Sequence, residues 1–290
     1  CFTYPYGAAI YSDAGGNASN IHYLEVENLP SVSATSFINC DKGIVALGSG
    51  LTAKNLKMDN GLLGIMCNST YSRHYLIEDN IIDNTHLGIS LNGQQRSASI
   101  QRNDIVTTKT VTRPSGLING VYTLPIVFVP IGIKYQLSGI PPMQYYTHTI
   151  ADNEVRINRI GGIGIYNGNA DYRLQEKNNE VYFTTTNIVP ALNYNIRSLI
   201  GYWNENNSTS LYSRNATFGI NNPAVWLERN SMGMYMNQST SCVLDCNRLQ
   251  YTRYGFYAWG NNTTSKGNVT FNKCNANEFP WFFLDNGSAS

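Results

Sequence analysis

The sequence predicts an all-β protein in which short strands repeat along the chain. Its 290 residues include 37 Asn, 25 Gly and 20 Tyr. Asn and Gly favour turns and Tyr favours strands, so the composition argues against a helical fold. A repeated pattern of aliphatic residues, Asn and Gly is the second observation, and it divides the chain into segments too short for helices.

One recurring segment consists of an aliphatic residue, two polar residues, Asn, any residue and another aliphatic residue. It occurs at Ile77–Ile82, Ile100–Ile105, Ile150–Val155 and Leu244–Leu249, with looser copies around Asn60, Asn179, Asn215 and Asn275. We expect each Asn to lie at a corner between strands, because Asn tolerates the left-handed backbone conformation. Its amide can also hydrogen-bond to the equivalent Asn in the neighbouring repeat.

A short apolar strand opened by glycine follows each clear copy. The opening residues are Gly43, Gly64, Gly88, Gly132, Gly164, Gly201, Gly233 and Gly255, and a ninth strand follows Pro280. We expect these glycines, like the Asn, to permit a left-handed backbone. The repeat length is about 21 to 26 residues where no loop intrudes. Because one repeat cannot bury its apolar face alone, stacked repeats forming a solenoid are predicted.

The repeats resemble the right-handed parallel β-helix of pectate-lyase-like proteins, which include polysaccharide lyases and hydrolases, phage tailspikes and surface adhesins. The resemblance covers residues 37–290 and implies one β-helix of about nine coils. Residues 1–36 form an N-terminal segment that could contain a worn first coil. Long intervals near 107–147 and 182–212 predict two loop insertions on a lateral face, where binding sites commonly lie.

The charge balance and the missing motifs exclude several functions. With 20 basic and 19 acidic side chains, the chain lacks the positive surplus of a nucleic-acid binder. The longest charge-free stretch, Pro114–Ile133, is broken by prolines and glycines, so membrane insertion is not expected. The start at Cys1 shows no secretory signal, and we expect the chain to be part of a longer protein.

A row of charged residues is predicted at the Asn corners. Asp59, Asp79, Arg102 and Asp152 each precede a corner Asn, and Lys177 lies near the same row. A uronic-acid lyase needs a cation that neutralises the sugar carboxylate and a base that removes a proton. We therefore predict Asp79, Arg102, Asp152 and Lys177 as catalytic residues, with Asp59 and Asp79 as ligands for Ca²⁺. The alternatives are a glycosidase with two carboxylates and a solvated charge ladder without catalytic function.

Aromatic residues accumulate in the second half of the chain. Flat aromatic rings stack on the apolar face of sugar rings, so an exposed line of them would suit a glycan chain. The predicted substrate-binding residues are Tyr202, Trp203, Tyr235, Tyr257 and Trp259. Stacking of some of these rings inside the solenoid is the alternative interpretation.

The cysteines give a test of the repeat alignment. Cys246 and Cys274 each precede an Asn, so we expect them in one column of successive coils, in close contact and able to form a disulfide. Cys40 and Cys67 fall in different columns and are expected to stay unpaired.

These features predict a protein that binds or cleaves a polysaccharide outside the cell, on a cell surface or on a virion. If it is an enzyme, it is a polysaccharide lyase or glycoside hydrolase. The other interpretation is a structural or adhesive segment of a larger surface protein, filament or phage tailspike. A tailspike of this resemblance would be a trimer.

Overall fold

The computed structural model describes residues 7–14, 22–28, 36–109, 111–113, 116–118, 121–123, 126–137, 147–159, 161–170, 174–185, 198–222, 231–260, 269–270, 272–275 and 277–284. The elements of this part of the chain are strands, and each coil contributes three of them in sequence order. Equivalent strands of successive coils pair in parallel. The protein is therefore a right-handed parallel β-helix of about nine coils, and the predicted fold class is confirmed.

The first strands of the coils form stack 1: β1 (Ala8–Asp13), β4 (Lys42–Leu47), β15 (Ile131–Leu137), β18 (Gly162–Gly168), β21 (Leu199–Glu205), β24 (Ser231–Asn237), β27 (Tyr254–Trp259) and β30 (Phe279–Leu284). The second strands form stack 2: β2 (Tyr23–Glu27), β5 (Gly50–Lys54), β16 (His148–Ala151), β19 (Leu174–Lys177), β22 (Leu211–Ser213), β25 (Val243–Asp245) and β28 (Val269–Thr270). Two long strands run through both stacks: β7 (Leu63–Glu78) and β9 (Leu87–Gln101). The third strands form stack 3: β3 (Phe37–Ile38), β6 (Lys57–Asp59), β8 (Ile81–Thr85), β10 (Asp104–Thr107), β17 (Glu154–Ile157), β20 (Glu180–Phe183), β23 (Ala216–Phe218), β26 (Arg248–Gln250) and β29 (Lys273–Asn275).

The first predicted insertion carries a separate antiparallel unit between β10 and β15. Its strands are β11 (Val111–Arg113), β12 (Gly116–Ile118), β13 (Val121–Thr123) and β14 (Ile126–Phe128). Strand β11 pairs with β14, and β12 pairs with β13. In the second predicted insertion, β21 and the start of β22 are regular coil strands, whereas residues 186–197 lie outside the described residues.

The core runs along the inside of the solenoid as columns of aliphatic side chains. Ile44, Ile65, Ile89, Ile133 and Ile165 are register neighbours in stack 1 and are all fully buried. Each column is stabilised by burial of apolar area, so no single coil is an independent folding unit. Among the described residues, no helix has the length and apolar character needed to cross a membrane.

Most of the predicted corner asparagines form a continuous ladder. Asn60 lies instead at the corner after β6, where it is itself left-handed with φ 62° and donates to Asn39. The members of the ladder are Asn80, Asn103, Asn153, Asn179, Asn215, Asn247 and Asn272, each hydrogen-bonded to the next. The left-handed conformation, however, belongs to the residue before each ladder Asn from Asn80 to Asn247, for example Asp152 with φ 56° and Asn178 with φ 52°. The prediction that the ladder Asn itself is left-handed is therefore wrong. The side chain of Asn153, for example, is buried and hydrogen-bonds to the Asn103 N–H and the Ile100 carbonyl of the preceding coil.

The strand-opening glycines form a second column, for a different reason from the predicted one. None of the eight has a positive φ. A Cβ on Gly64 would lie 2.6 Å from the Gly88 carbonyl oxygen, and one on Gly164 would lie 2.6 Å from that of Gly201. The glycines are needed because successive coils approach too closely for a side chain at this bend.

The prediction that Cys246 and Cys274 lie side by side is wrong, because it aligned the last two coils on Asn275. Asn272, not Asn275, continues the ladder, so Cys274 pairs in register with Leu249 and is not beside Cys246. Both cysteines are free, as is Cys67. Cys40 is disulfide-bonded, so the prediction that it stays unpaired is also wrong.

Candidate functional site

The predicted catalytic row exists in part, at the corner between stacks 2 and 3. Asp79, Arg102 and Asp152 occupy equivalent left-handed positions in successive coils. Arg102 forms a bidentate pair with Asp79, with Nε–Oδ1 at 2.8 Å and Nη2–Oδ2 at 2.9 Å, and it also reaches Glu78 at 3.3 Å. This hydrogen bonding holds the pKa of the Asp79 carboxyl below its usual range and raises the pKa of Arg102. The two charges of this pair compensate each other, and the lowered pKa makes Asp79 a weaker base. The arrangement is therefore more typical of a structural charge ladder than of a catalytic base.

Lys177 does not belong to this row. It pairs in register with Ala151, while Asn178 takes the left-handed position next to Asp152 and donates to Asp152 Oδ1 at 3.1 Å. The same shift of one residue turns Glu176 into the core, between Ile150 and Tyr212. The alignment of Lys177 with Arg102 is therefore wrong.

Asp59 and Asp79 lie at different corners of the coil. Asp59 ends β6 in stack 3 and pairs with Asp83, whereas Asp79 precedes β8. Four residue steps separate Asp79 from Asp83, at most roughly 13 Å of chain. The two carboxylates also have separate partners, Arg102 for Asp79 and Asn84 for Asp59, so they do not form one calcium site. In the part of the chain that the structure describes, no group of three or more His, Cys, Asp or Glu side chains is arranged to hold a metal ion.

The aromatic prediction leads to a surface feature of stack 1. Tyr166, Trp203, Tyr235, Tyr257 and Phe282 are register neighbours on β18, β21, β24, β27 and β30. Their ring centroids are 5.8, 5.3, 5.5 and 5.0 Å apart in that order, mostly in edge-on or tilted geometry. We call these five residues the aromatic stripe. It crosses four strand spacings, roughly 19 Å.

An apolar column borders the aromatic stripe on one side. Its members are Ile131, Ile163, Ile200, Met232, Tyr254 and Phe279. Ile163, Ile200, Met232 and Tyr235 form a hydrophobic cluster distinct from the interior core, and the other stripe tyrosines and Trp203 pack against it. The four cluster residues are themselves buried, at 5 to 9% exposure. Among the described residues of this face, the exposed large apolar side chains are Phe279 and Trp259 at its C-terminal end, and exposed apolar area of this kind is typical of a surface that contacts another molecule.

A column with the polar residues Glu205 and Asn237 at its centre borders the stripe on the other side, and we call it the polar column. In register order it contains Gln136, Gly168, Glu205, Asn237 and Trp259. Glu205 accepts a hydrogen bond from the Tyr166 hydroxyl at 2.9 Å and another from Asn237 Nδ2 at 3.3 Å. Burial and this contact raise the pKa of Tyr166, which therefore stays a neutral donor. Trp259 is 52% exposed.

Of the predicted substrate-binding residues, Trp203, Tyr235, Tyr257 and Trp259 lie on this face, but Tyr202 does not. Trp259 is exposed, Trp203 and Tyr257 are half-buried, and Tyr235 is buried between its neighbours. Tyr202 is fully buried, and its hydroxyl donates to the Asn179 carbonyl at 2.7 Å and the Ala216 carbonyl at 3.0 Å. A surface contact with a glycan is not available to this side chain, so its assignment as a substrate-binding residue is wrong.

A simple sequence signal would have separated the two groups. Every stripe residue stands two positions after the strand-opening residue, as in Gly201 and Trp203, or Pro280 and Phe282. The residue one position after each of the eight glycines, such as Tyr202 or Phe256, is buried in the core, whereas Trp281 after Pro280 in the last coil is 42% exposed. The predicted set of substrate-binding residues combined residues from both positions. It did not include Tyr166, Phe282 or the neighbouring Glu205.

No protein-family model matches the chain, and neither the curated proteins nor the solved structures contain a match.

Proposed function

We propose that the protein binds a polysaccharide along the aromatic stripe, with the glycan chain running parallel to the solenoid axis. The observation that carries this proposal is the unbroken register of five aromatic residues on adjacent coils, bordered by a polar column. Aromatic faces offer stacking surface to sugar rings, and polar groups beside them fix hydroxyls.

Binding without cleavage is the version that the geometry favours. A glycosidase needs two carboxylates flanking the scissile bond. Among the described residues of the three columns, Glu205 is the one carboxylate. The charged corner row, around which we predicted an enzyme, lies on stacks 2 and 3 and contains the neutralised pair Asp79–Arg102. A lyase or hydrolase therefore has less support than a glycan-binding segment of an adhesin or tailspike.

The parallel coils and the Asn ladder are consistent with the pectate-lyase-like superfamily, and we propose that kinship. A polysaccharide ligand would place the protein outside the cell or on a virion surface. A trimeric tailspike segment would bind in the same way.

Affinity electrophoresis in gels containing polysaccharides tests the proposed function. Trp259→Ala and Tyr257→Ala should each raise the dissociation constant obtained from the retardation about fivefold or more, since one stacked ring contributes on the order of 1 kcal/mol or more. Tyr23→Ala is the matched control, because Tyr23 is also 52% exposed but lies on β2 in stack 2. Absence of retardation by any polysaccharide, or equal loss in Tyr23→Ala, would contradict binding at the stripe and favour a rigid spacer.

A further inference from the structure

Glu205 occupies the middle of the proposed binding face and has no cationic partner among the described residues. None of the ion pairs in the described part of the chain includes it. Its two oxygens are instead held by neutral donors from the coils on either side, Tyr166 of β18 and Asn237 of β24. The carboxylate is thus fixed in place while its negative charge remains uncompensated.

The described cations near this face, Lys134 and Arg253, lie at its two ends. Lys134 of β15 places Nζ 5.9 Å from the centroid of the Tyr166 ring. Arg253 lies over the Tyr254 ring at 5.5 Å and is paired with Glu278 at 2.9 Å. Between these ends, the described members of the three columns on β21 and β24 are apolar, aromatic or amide side chains apart from Glu205.

We propose that the stripe selects an uncharged polysaccharide and that Glu205 is the residue that sets this selectivity. The inference rests on the proposed glycan-binding function. A carboxylate that keeps free lone pairs accepts hydrogen bonds from sugar hydroxyls. A uronate or sialate carboxylate at the same position meets like charge with no described cation between, which weakens its binding about tenfold or more. The ligand class is therefore a neutral, hydroxyl-rich glycan.

The test compares neutral polysaccharides (β-glucan, mannan, galactan) with anionic ones (polygalacturonate, alginate, hyaluronan) in affinity gels at low and high salt. Wild-type protein should bind at least one neutral polymer about tenfold or more tighter than any anionic one. Glu205→Gln keeps an oxygen for Tyr166 and should reduce this ratio about tenfold or more, chiefly by improved anionic binding. High salt should weaken the discrimination by wild type and leave that by Glu205→Gln unchanged.

Glu180→Gln is the matched control. Glu180 on β20 also accepts a hydrogen bond from a tyrosine, Tyr182, but it lies in stack 3, so the variant removes the same charge away from the stripe. Its neutral-to-anionic ratio should equal that of wild type. Preferential anionic binding by wild type, abolished by Trp259→Ala, would overturn the selectivity while leaving the stripe as the binding site. An unchanged ratio in Glu205→Gln would remove Glu205 from that function. Absence of binding to every polymer would overturn the proposed function, and the selectivity with it.

Discussion

Glu176 gives the sharpest prediction about the stability of the solenoid. Its side chain is fully buried on β19, where Asn167 Nδ2 donates to one carboxylate oxygen and the other oxygen has no partner. The titratable groups that face it are Tyr202 and Tyr212, both buried with raised pKa values and therefore neutral. Burial raises the pKa of Glu176 from its ordinary value of 4.5 to about 8, against the opposing effect of the Asn167 hydrogen bond.

The sign of the pH dependence follows from proton uptake. Between pH 4.5 and about 8 the folded state holds a proton that the unfolded state has lost, so the free energy of unfolding falls as the pH rises. At about 1.4 kcal/mol per pH unit, the full loss approaches 5 kcal/mol at and above pH 8.

His148 on β16 makes the free energy of unfolding change with pH in the opposite direction. Burial lowers its pKa from 6.5 to about 4, so stability is lost as the pH falls through that interval. The two effects oppose each other between pH 4.5 and 6.5. We therefore expect the stability contributed by these two groups to be nearly level there and to decline from pH 6.5 to 8.

Glu176→Gln should abolish the decline, because the amide keeps the shape of the side chain and carries no charge. Thermal unfolding followed by circular dichroism at pH 5, 6.5 and 8 measures the effect. At pH 8 the variant should unfold about 10 °C above wild type, with a much smaller difference at pH 5. Glu180→Gln, at an exposed position, should follow wild type throughout. A wild-type-to-variant difference that is the same at pH 5 and pH 8 would refute the buried, protonated carboxyl.

Two further predictions concern the ladder and the cysteines. Asn153→Ala removes side-chain hydrogen bonds to Asn103, Asn179 and the Ile100 carbonyl. Because buried groups lose their partners, the free energy of unfolding measured by chemical denaturation should fall by about 3 kcal/mol. The exposed control Asn158→Ala should change it little, and equal effects of the two variants would contradict the ladder's contribution to stability. A maleimide should label the exposed Cys246 rapidly in the folded protein and the fully buried Cys67 only after unfolding, so rapid native labelling of Cys67 by mass spectrometry would contradict the core assignment.

The repeat pattern was sufficient to predict the coils, because most coils place an Asn at one corner and a glycine at another. The exceptions include Leu56 at the ladder position before Asn80 and Pro280 at the start of the last strand. The clear copies, such as those at Asn80, Asn103 and Asn153, carry the ladder as predicted. The doublet Asn178–Asn179 was ambiguous, since one Asn enters the ladder and the other adopts the left-handed conformation. Adjacent identical residues cannot be assigned without the hydrogen bonds between coils.

Only the tertiary structure showed which of two adjacent aromatic residues points outward and so belongs to the binding face. The sequence by itself determined that aromatic residues recur near the start of each stack 1 strand. Whether Tyr202 or Trp203 faces outward depends on the bend at the preceding glycine, where the next coil's carbonyl leaves no room for a Cβ. Side chains alternate with a period of two along a strand, so a shift of one residue exchanges the core and the surface. The same shift buried Glu176 and excluded Lys177 from the charged row.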